Sequence, residues 1–300
     1  MIKVQGLCKS FDRAAALSSL DMNVRRGSIY GLIGANGAGK TTALKHIAGV
    51  LRADSGLVEI DGENVYENTR IKERTGFIPD DLYFFGSYSL RDSAAFYSRL
   101  YPAWDAGLCA RMAERFGLDD RVRLSKFSKG MRKQAAFVLA MSARPDCLVL
   151  DEPIDGLDPL ARKTVWNHVV DGVAERGMTV LVSSHNLREM EGICDSIGIL
   201  SKGRMLIERD LDELKSDIHK IQAAFPADVP REGRYDGLNV LHLESRGAVD
   251  LLIARNARAD VESVIRRSSP LVFDMLPLSL EEIFIYEIGG GNSEIDGVVF

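Results

Sequence analysis

The segment Gly34-Ala35-Asn36-Gly37-Ala38-Gly39-Lys40-Thr41 determines how the rest of this 300-residue chain is interpreted. It follows the apolar stretch IYGLI at 29–33 and leads into a helix-like stretch at roughly 39–50. Glycines allow successive backbone N–H groups to face one point, and the start of a helix favours a bound anion. The pattern G-x-x-x-x-G-K-[ST] between a strand and a helix therefore predicts a phosphate-binding loop rather than a Gly-rich turn with a chance Lys-Thr pair.

The loop also predicts roles for its side chains. Lys40 would reach the β- and γ-phosphates of a nucleotide, which makes it a predicted catalytic residue, and the Thr41 hydroxyl would bind Mg²⁺. The residues predicted to contact the nucleotide here are Asn36, Gly37, Ala38, Gly39, Lys40, Thr41 and Thr42.

A second strand-like segment, CLVL at 147–150, ends in the carboxylates of Asp151 and Glu152. This is the arrangement of a Walker B segment, in which Asp151 would hold Mg²⁺ through its water shell. Glu152 would orient and deprotonate the attacking water. A solvated strand end is the alternative interpretation, and a phosphate loop in the same chain disfavours it.

His185 ends another apolar segment, TVLVSS at 179–184. Ligands bind at the carboxyl ends of parallel strands, so we predict that His185 lies near the γ-phosphate if its strand neighbours the strand before Asp151. A lone histidine is more often structural, and the other four histidines of the chain have no such context.

Strand-like and helical segments alternate over the first 210 residues. This predicts an α/β fold: a P-loop NTPase with a mostly parallel core sheet, an antiparallel β subdomain and a helical insertion at about 89–143. Further on, HKIQAAF, LNVLHLES and AVDLLIA favour antiparallel strands, and SLEEIFIYEI favours a final helix. We predict a nucleotide-binding domain at 1–210, an accessory α+β domain at 211–288 and a flexible tail at 289–300.

Composition excludes several classes of protein. Hydrophobic residues make up 46% of the chain and charged residues 27%, which is typical of soluble globular proteins. The last ninety residues carry a net charge of −7 and the rest lacks clustered Lys and Arg, so we expect no nucleic-acid partner. Four dispersed cysteines without a C-x-x-C pair indicate neither a disulfide framework nor a zinc site. No spanning-length apolar stretch or signal sequence is present, which predicts a cytoplasmic protein.

The segment Phe127-Ser128-Lys129-Gly130-Met131, 20 residues before Asp151, resembles the L-S-G-G-Q signature of the ATP-binding cassette family. The resemblance covers about residues 2–210. It implies that Ser128 and Gly130 bind the γ-phosphate of ATP held by a second cassette, although Ser128 would also serve as an ordinary helix N-cap. Phe11 stands where the family has an aromatic residue that stacks on adenine, and a core position is the alternative.

The sequence departs from the family pattern at three positions where it carries a charge, and we call these the three charged departures. Asp80 replaces the Q-loop glutamine, Lys129 replaces one of the two signature glycines, and Asp155 replaces the D-loop serine before Gly156-Leu157-Asp158. We predict that Asp80 contacts Mg²⁺ directly or through water. Capping of the following turn is the alternative.

An aromatic cluster follows Asp80, at the position where the family's cassettes receive a short helix of the permease. The cluster consists of Tyr83, Phe84, Phe85 and Tyr88. A buried local core is the alternative interpretation, because aromatic side chains are commonest inside proteins.

The resemblance implies an ATP-binding and ATP-hydrolysing subunit that pairs with a second cassette around two Mg-ATP and drives a separately encoded permease. The ending PLSLEEIFI at 277–285 and the accessory domain look like those of bacterial exporter subunits, which lie peripherally on the inner face of the membrane. DNA-repair cassettes carry long coiled coils and translation factors carry two cassettes, and neither pattern occurs in this sequence. A module that binds ATP without hydrolysing it is disfavoured by Glu152.

Overall fold

The computed structural model describes residues 1–12 and 14–288, which divide into two compact units. The first unit contains Met1–His185 and Gly192–Glu208, and the second contains Asn186–Glu191 and the chain from Arg209 onward. The tail expected at 289–300 lies outside the described residues. Within the described ranges, no helix is both long enough and apolar enough to cross a membrane.

Strands and helices follow one another along the described chain. The strands are β1 (Ile2–Phe11), β2 (Ala14–Val24), β3 (Ile29–Ile33), β4 (Ser55–Ile60), β5 (Glu63–Asn64), β6 (Thr75–Ile78), β7 (Cys147–Asp151), β8 (Thr179–Ser184), β9 (Ser196–Ser201), β10 (Arg204–Asp210), β11 (Ile218–Ala224), β12 (Val240–Arg246), β13 (Val249–Arg255) and β14 (Val272–Leu276). The helices are α1 (Lys40–Ile47), α2 (Thr69–Lys72), α3 (Leu90–Leu100), α4 (Ala106–Arg115), α5 (Lys129–Ser142), α6 (Pro159–Arg176), α7 (Leu187–Met190), α8 (Leu211–Asp217), α9 (Arg258–Arg267) and α10 (Leu280–Ile288), and a short 3-10 helix, Leu124–Lys126, precedes α5.

A six-stranded sheet with the order β10-β9-β3-β8-β7-β6 lies in the first unit. The pairs β3–β8, β3–β9, β6–β7 and β7–β8 are parallel, which confirms the predicted mostly parallel sheet. Every residue of β3, β7 and β8 is buried, as expected of strands covered on both faces. Parallel pairing places the carboxyl ends of these three strands at one edge. The phosphate loop, Glu152 and His185 follow directly from that edge.

The predicted antiparallel β subdomain is a four-stranded sheet with the order β2-β1-β4-β5. Ile2 of β1 pairs with Val24 of β2 and with Ile60 of β4. Residues on one face of the sheet join α1 and the core sheet in a single hydrophobic cluster, which includes Leu44 of α1 and Val149 of β7. The helix that begins at the phosphate loop is therefore fixed by packing against both sheets.

The helical insertion predicted at about 89–143 consists of α3, α4, the 3-10 helix and α5. A capping box begins α3, because the side chains of Ser89 and Asp92 each accept a hydrogen bond from the other's backbone N–H. Ser128 is the N-cap residue of α5, and its Oγ accepts a hydrogen bond from the Met131 N–H at 3.2 Å. The expected N-cap role of Ser128 is therefore confirmed.

The second unit contains an antiparallel sheet with the order β12-β13-β11-β14. The segments HKIQAAF, LNVLHLES and AVDLLIA contribute β11, β12 and β13, and the expected final helix is α10. Helix α9 buries Val261 and Ile265 in a cluster with Ile221 and Leu252 of the sheet. This unit is thus an α+β structure with its own hydrophobic core.

Candidate nucleotide site

The phosphate loop joins β3 to α1, and its backbone requires glycine. Gly37 has a φ angle of 81° and Gly39 one of 108°, in the left-handed region that favours glycine. A Cβ atom on Gly39 would lie 2.7 Å from the Ala16 carbonyl oxygen, so a side chain there would clash with the backbone. Of the other predicted contact residues, Asn36 and Thr41 are exposed, Thr42 is half-buried, and Ala38 and Lys40 are buried.

The ammonium group of Lys40 is buried against the loop. Its Nζ donates hydrogen bonds to the carbonyl oxygens of Gly34 at 2.6 Å and Ala35 at 3.4 Å, and it lies 3.5 Å from Glu152 Oε1. A buried ammonium group needs such compensation, because leaving water costs it free energy. The structure thus brings the loop cation and the strand-end carboxylate together.

Asp151 has unused hydrogen-bonding capacity. The residue is 1% exposed, and its Oδ1 accepts a hydrogen bond from Ser183 Oγ at 2.6 Å, whereas its Oδ2 is buried without a hydrogen-bond partner. Carboxylate oxygen is a preferred ligand of Mg²⁺, which commonly also binds substrate phosphates and water. Among the described residues, no three acidic, histidine or cysteine side chains converge as a metal cluster. The unpartnered oxygen of Asp151 therefore fits the ligand chemistry of Mg²⁺.

The carboxylate of Glu152 lies between a histidine and a lysine. His185 Nδ1 donates a hydrogen bond to Glu152 Oε2 at 3.0 Å, and Lys40 faces the other oxygen. The strand before His185 neighbours the strand before Asp151, as the predicted role requires, since β8 pairs with β7 and places Ser183 opposite Asp151. Glu152 itself has a φ angle of 46°. Its backbone N–H donates a hydrogen bond to Ser183 Oγ at 3.1 Å.

The signature segment contacts the D-loop. A Cβ atom on Gly130 would lie 3.1 Å from the Gly156 carbonyl oxygen, and Lys129 Nζ donates a hydrogen bond to Asp155 Oδ2 at 2.8 Å. That hydrogen bond lowers the pKa of Asp155 and raises the pKa of Lys129. Ser128 is exposed. In the described part of the chain, no hydrogen bond or ion pair joins the signature segment to the phosphate loop.

Comparison with known proteins decides the family. The profile of the ABC transporter family matches residues 17–155. The ABC transporter ATP-binding protein YtrB of Bacillus subtilis is 33% identical, over 97% of this chain and 99% of its own length. The bacitracin transport ATP-binding protein BcrA of Bacillus licheniformis is 30% identical, over 97% of this chain and 98% of its own length.

This chain belongs to the ATP-binding proteins of ABC transporters. The predicted family and ATP binding are thereby confirmed, and members of this family are ATPases. A solved ATP-binding subunit of an ABC transporter is 28% identical, with a TM-score of 0.66 over 72% of this chain and 92% of that one. A dimeric cassette bound to ADP and phosphate, at 22% identity and a TM-score of 0.63, has the same fold and covers 70% of this chain and 99% of its own.

In this ABC ATPase, Phe11 is not a core residue. Its ring, at the end of β1, is 47% exposed, and Lys9 Nζ lies 5.6 Å from the ring centroid. An exposed ring has a face free for stacking. Its contact with adenine stays a prediction.

Asp80 is paired with a lysine that the sequence did not single out. Lys133 Nζ lies 2.9 Å from Asp80 Oδ1, while the Asp80 side chain is still 49% exposed. The predicted contact of Asp80 with Mg²⁺ therefore stays a prediction. Lys133 falls on the same helical face as the buried residues Phe137 and Ala140, at spacings of four and seven, and this pattern could have indicated a buried lysine.

The rings of the predicted aromatic cluster differ in exposure, because Phe84 and Tyr88 are half-buried whereas Tyr83 and Phe85 are exposed. Tyr83 is 85% exposed and Phe85 is 48% exposed. The Phe85 ring centroid lies 4.8 Å from that of Tyr88 and 5.8 Å from that of Phe96 on α3. We call Tyr83, Phe85, Tyr88 and Phe96 the aromatic patch.

Proposed function

We propose that this ABC ATPase powers an exporter by pairing with a second cassette around two Mg-ATP and driving a separately encoded permease. The bacitracin transport relative supports a transport role, because it aligns with this chain over nearly the full length of both. The ending PLSLEEIFI, which resembles that of bacterial exporter subunits, favours export. We place the protein on the inner face of the membrane, held there by the permease. The observation that carries the catalytic assignment is the Glu152 carboxylate, held between His185 and Lys40.

Lys40 supplies the positive charge that would balance part of the negative charge of the triphosphate. Lys40, already turned toward the loop carbonyls, would pair with the β- and γ-phosphates, while the loop backbone from Asn36 to Thr42 would donate hydrogen bonds. Thr41 and the unpartnered oxygen of Asp151 would hold Mg²⁺. The ion, when bound, neutralises charge on the phosphate oxygens. A place for Asp80 in this metal site remains a prediction.

Glu152 and His185 lie at the end of the site where the attacking water would bind. Glu152 would orient the attacking water and accept its proton. His185 donates a hydrogen bond to Glu152 Oε2, so it keeps the carboxylate in one orientation, and it would contact the γ-phosphate through its exposed ring.

The remaining predicted residues act at other surfaces. Ser128 and Gly130 would complete the ATP site of the second cassette, with the start of α5 directed at the γ-phosphate. Phe11 would stack on adenine. The second unit contains none of the predicted nucleotide residues, and we assign it a dimerisation or regulatory role.

Two variants of the full chain test the catalytic assignment. Lys40→Ala should abolish ATP binding, whereas Glu152→Gln should bind ATP and lose hydrolysis by about 100-fold or more, because only the second removes the general base. Glu175→Gln, which neutralises an exposed glutamate of α6, is the matched control and should hydrolyse ATP normally. Turnover at the wild-type rate in Glu152→Gln would refute the assignment.

A second experiment tests assembly. ATP and Mg²⁺ should convert Glu152→Gln protein from monomer to dimer in light scattering, and Ser128→Arg in that background should prevent the conversion. Ser98→Arg adds the same charge to an exposed position of α3 and should still dimerise. Normal dimerisation of Ser128→Arg would show that the signature does not face nucleotide.

A further inference from the structure

Lys133 has three polar neighbours that the nucleotide motifs do not explain. Its side chain is 3% exposed. Its Nζ donates a hydrogen bond to Asp80 Oδ1 at 2.9 Å and another to the backbone carbonyl of Glu152 at 2.7 Å, and it lies 4.0 Å from Asp155 Oδ2. An ammonium group this far from water is stable only when opposite charge and hydrogen bonds compensate it. The position of Lys133 therefore depends on these acidic neighbours.

The three charged departures take part in the same set of contacts. Each places a charge where the family pattern has a neutral residue, and each charge meets a lysine or an aspartate of this set. Asp80 pairs with Lys133, and Asp155 pairs with Lys129 at 2.8 Å and lies within 4.0 Å of Lys133. Lys129 and Asp155 thus compensate each other, and Asp80 compensates Lys133, a lysine of α5 that is not one of the departures. These pairings give the three departures a common physical reason.

The carbonyl that Lys133 holds belongs to a strained residue. Glu152 has a φ angle of 46°, a left-handed conformation that a residue with a side chain adopts only at a cost in free energy. Such a conformation persists only when its surroundings fix it. The N–H of Glu152 is fixed by Ser183 Oγ at 3.1 Å, and its carbonyl is fixed by Lys133. Release of either bond would let the backbone relax and carry the carboxylate away from His185.

We propose that Lys133 is a positioning residue for hydrolysis, with Asp80 as its counter-ion rather than as a metal ligand. Lys133 holds the backbone of Glu152, and Asp80 keeps the ammonium group of Lys133 at that carbonyl instead of at Asp155. The loop that carries Tyr83, Phe85 and Tyr88 begins directly after Asp80, so a movement of this loop reaches Glu152 through one lysine. The inference rests on the proposed role of Glu152 as the general base.

A double-mutant cycle on the full chain tests the proposal by the kcat of ATP hydrolysis. Asp80→Asn should lower kcat about tenfold in the wild-type background, because Lys133 loses its counter-ion, and less than about twofold in a Lys133→Gln background, where no ammonium group remains to be held. The affinity for ATP should stay within about twofold in all variants, since Lys40 is untouched. Asp81→Asn removes the same charge from the next, exposed residue and should leave kcat unchanged.

The competing roles give different results in the same cycle. A metal-ligand role for Asp80 would raise the Mg²⁺ concentration for half-maximal rate in Asp80→Asn equally in both backgrounds, and that outcome would overturn the proposal. Additive losses of kcat would overturn it as well. If Lys133→Gln does not fold, Lys133→Met retains the apolar stem and replaces it in the cycle. Failure of the general-base assignment is distinguishable, because it would appear as normal turnover in Glu152→Gln.

Discussion

Two buried carboxylates, one in each unit, differ in how completely their hydrogen-bonding capacity is used. Asp250 of the second unit is 4% exposed and both of its oxygens are bonded: Oδ2 accepts from Arg234 at 2.9 Å and from the Tyr235 hydroxyl at 2.7 Å, and Oδ1 accepts from Ser245 at 2.6 Å. Asp151 of the first unit is 1% exposed, yet its Oδ2 has no hydrogen-bond partner. Burial alone therefore does not distinguish a structural charge from a functional one.

The cation paired with Asp250 is equally saturated. Arg234 donates to the carbonyl oxygens of Pro230 at 3.2 Å and Val229 at 2.7 Å, and its guanidinium lies 4.2 Å from the Phe225 ring centroid. Such a group has nothing left to offer a ligand, and its energetic role is to keep the fold intact. A buried carboxylate oxygen without a hydrogen-bond partner, in contrast, lowers the stability of the fold, and a bound cation would offset this loss. The difference predicts opposite consequences for stability and for activity.

The largest expected effect is the loss of stability when Asp250, the carboxylate with both oxygens hydrogen-bonded, is removed. Asp250→Ala leaves the Arg234 guanidinium buried without its counter-ion, and we expect it to lower the free energy of unfolding of the second unit by about 3–5 kcal/mol. Denaturant titration measures this. ATP binding to the first unit should persist. Arg258→Ala, which removes an exposed pair with Glu262, is the control and should cost less than about 0.5 kcal/mol.

The same contrast depends on pH in a defined direction. Burial alone would raise the pKa of Asp250, but the hydrogen bonds from Ser245, Tyr235 and Arg234 outweigh it, and the net pKa is lowered. A lowered pKa in the folded state gives stability that is present above the unfolded value of about 4 and is lost as the pH falls through the folded value. The difference between wild type and Asp250→Ala should therefore be full at neutral pH and shrink in acid. A constant difference would contradict the ionic role.

Asp151 is the carboxylate with an unpartnered oxygen, and Asp151→Asn should reduce ATP hydrolysis by about 100-fold. The nucleotide-free variant should be at least as stable as wild type, because the substitution removes a buried charge with an unpartnered oxygen. Steady-state hydrolysis with a Mg²⁺ titration, together with thermal unfolding, measures both quantities. A loss of stability comparable to that of Asp250→Ala would show that Asp151, like Asp250, is a structural carboxylate.

The sequence predicted the parts of the site that short motifs encode. The phosphate loop, Asp151 and Glu152 follow strands whose apolar runs are visible in the sequence, and the parallel sheet then places them at one edge. The partners of these residues were not predictable in the same way. Lys133 meets Asp80 across 53 positions and Glu152 across 19, so the contacts depend on how α5 packs rather than on any local pattern.

Two phenylalanine rings, one in each unit, differ in exposure. Phe225 of the second unit is 4% exposed and covered by Arg234, whereas Phe85 of the aromatic patch is 48% exposed. If the patch receives the permease, Phe85→Ala should weaken the complex about tenfold, the scale of an aromatic interface anchor, while basal hydrolysis survives. Co-purification in mild detergent measures the complex. Val170→Ala removes an apolar side chain that is 44% exposed on α6 and should leave the yield unchanged. An unchanged yield for Phe85→Ala would assign the ring to local packing.

The smallest expected effect concerns Phe11, the other ring with a free face. Stacking on adenine at a site that remains 47% exposed is worth about 1 kcal/mol, so Phe11→Ala should weaken ATP binding roughly fivefold and Phe11→Tyr should retain most of it. Because the ring would contact only the base, the affinity for inorganic tripolyphosphate should be the same in wild type and Phe11→Ala. Tyr66→Ala removes another exposed ring of the first unit and should change neither affinity. Equal losses for ATP and tripolyphosphate would mean that Phe11 supports the phosphate loop instead of stacking on the base.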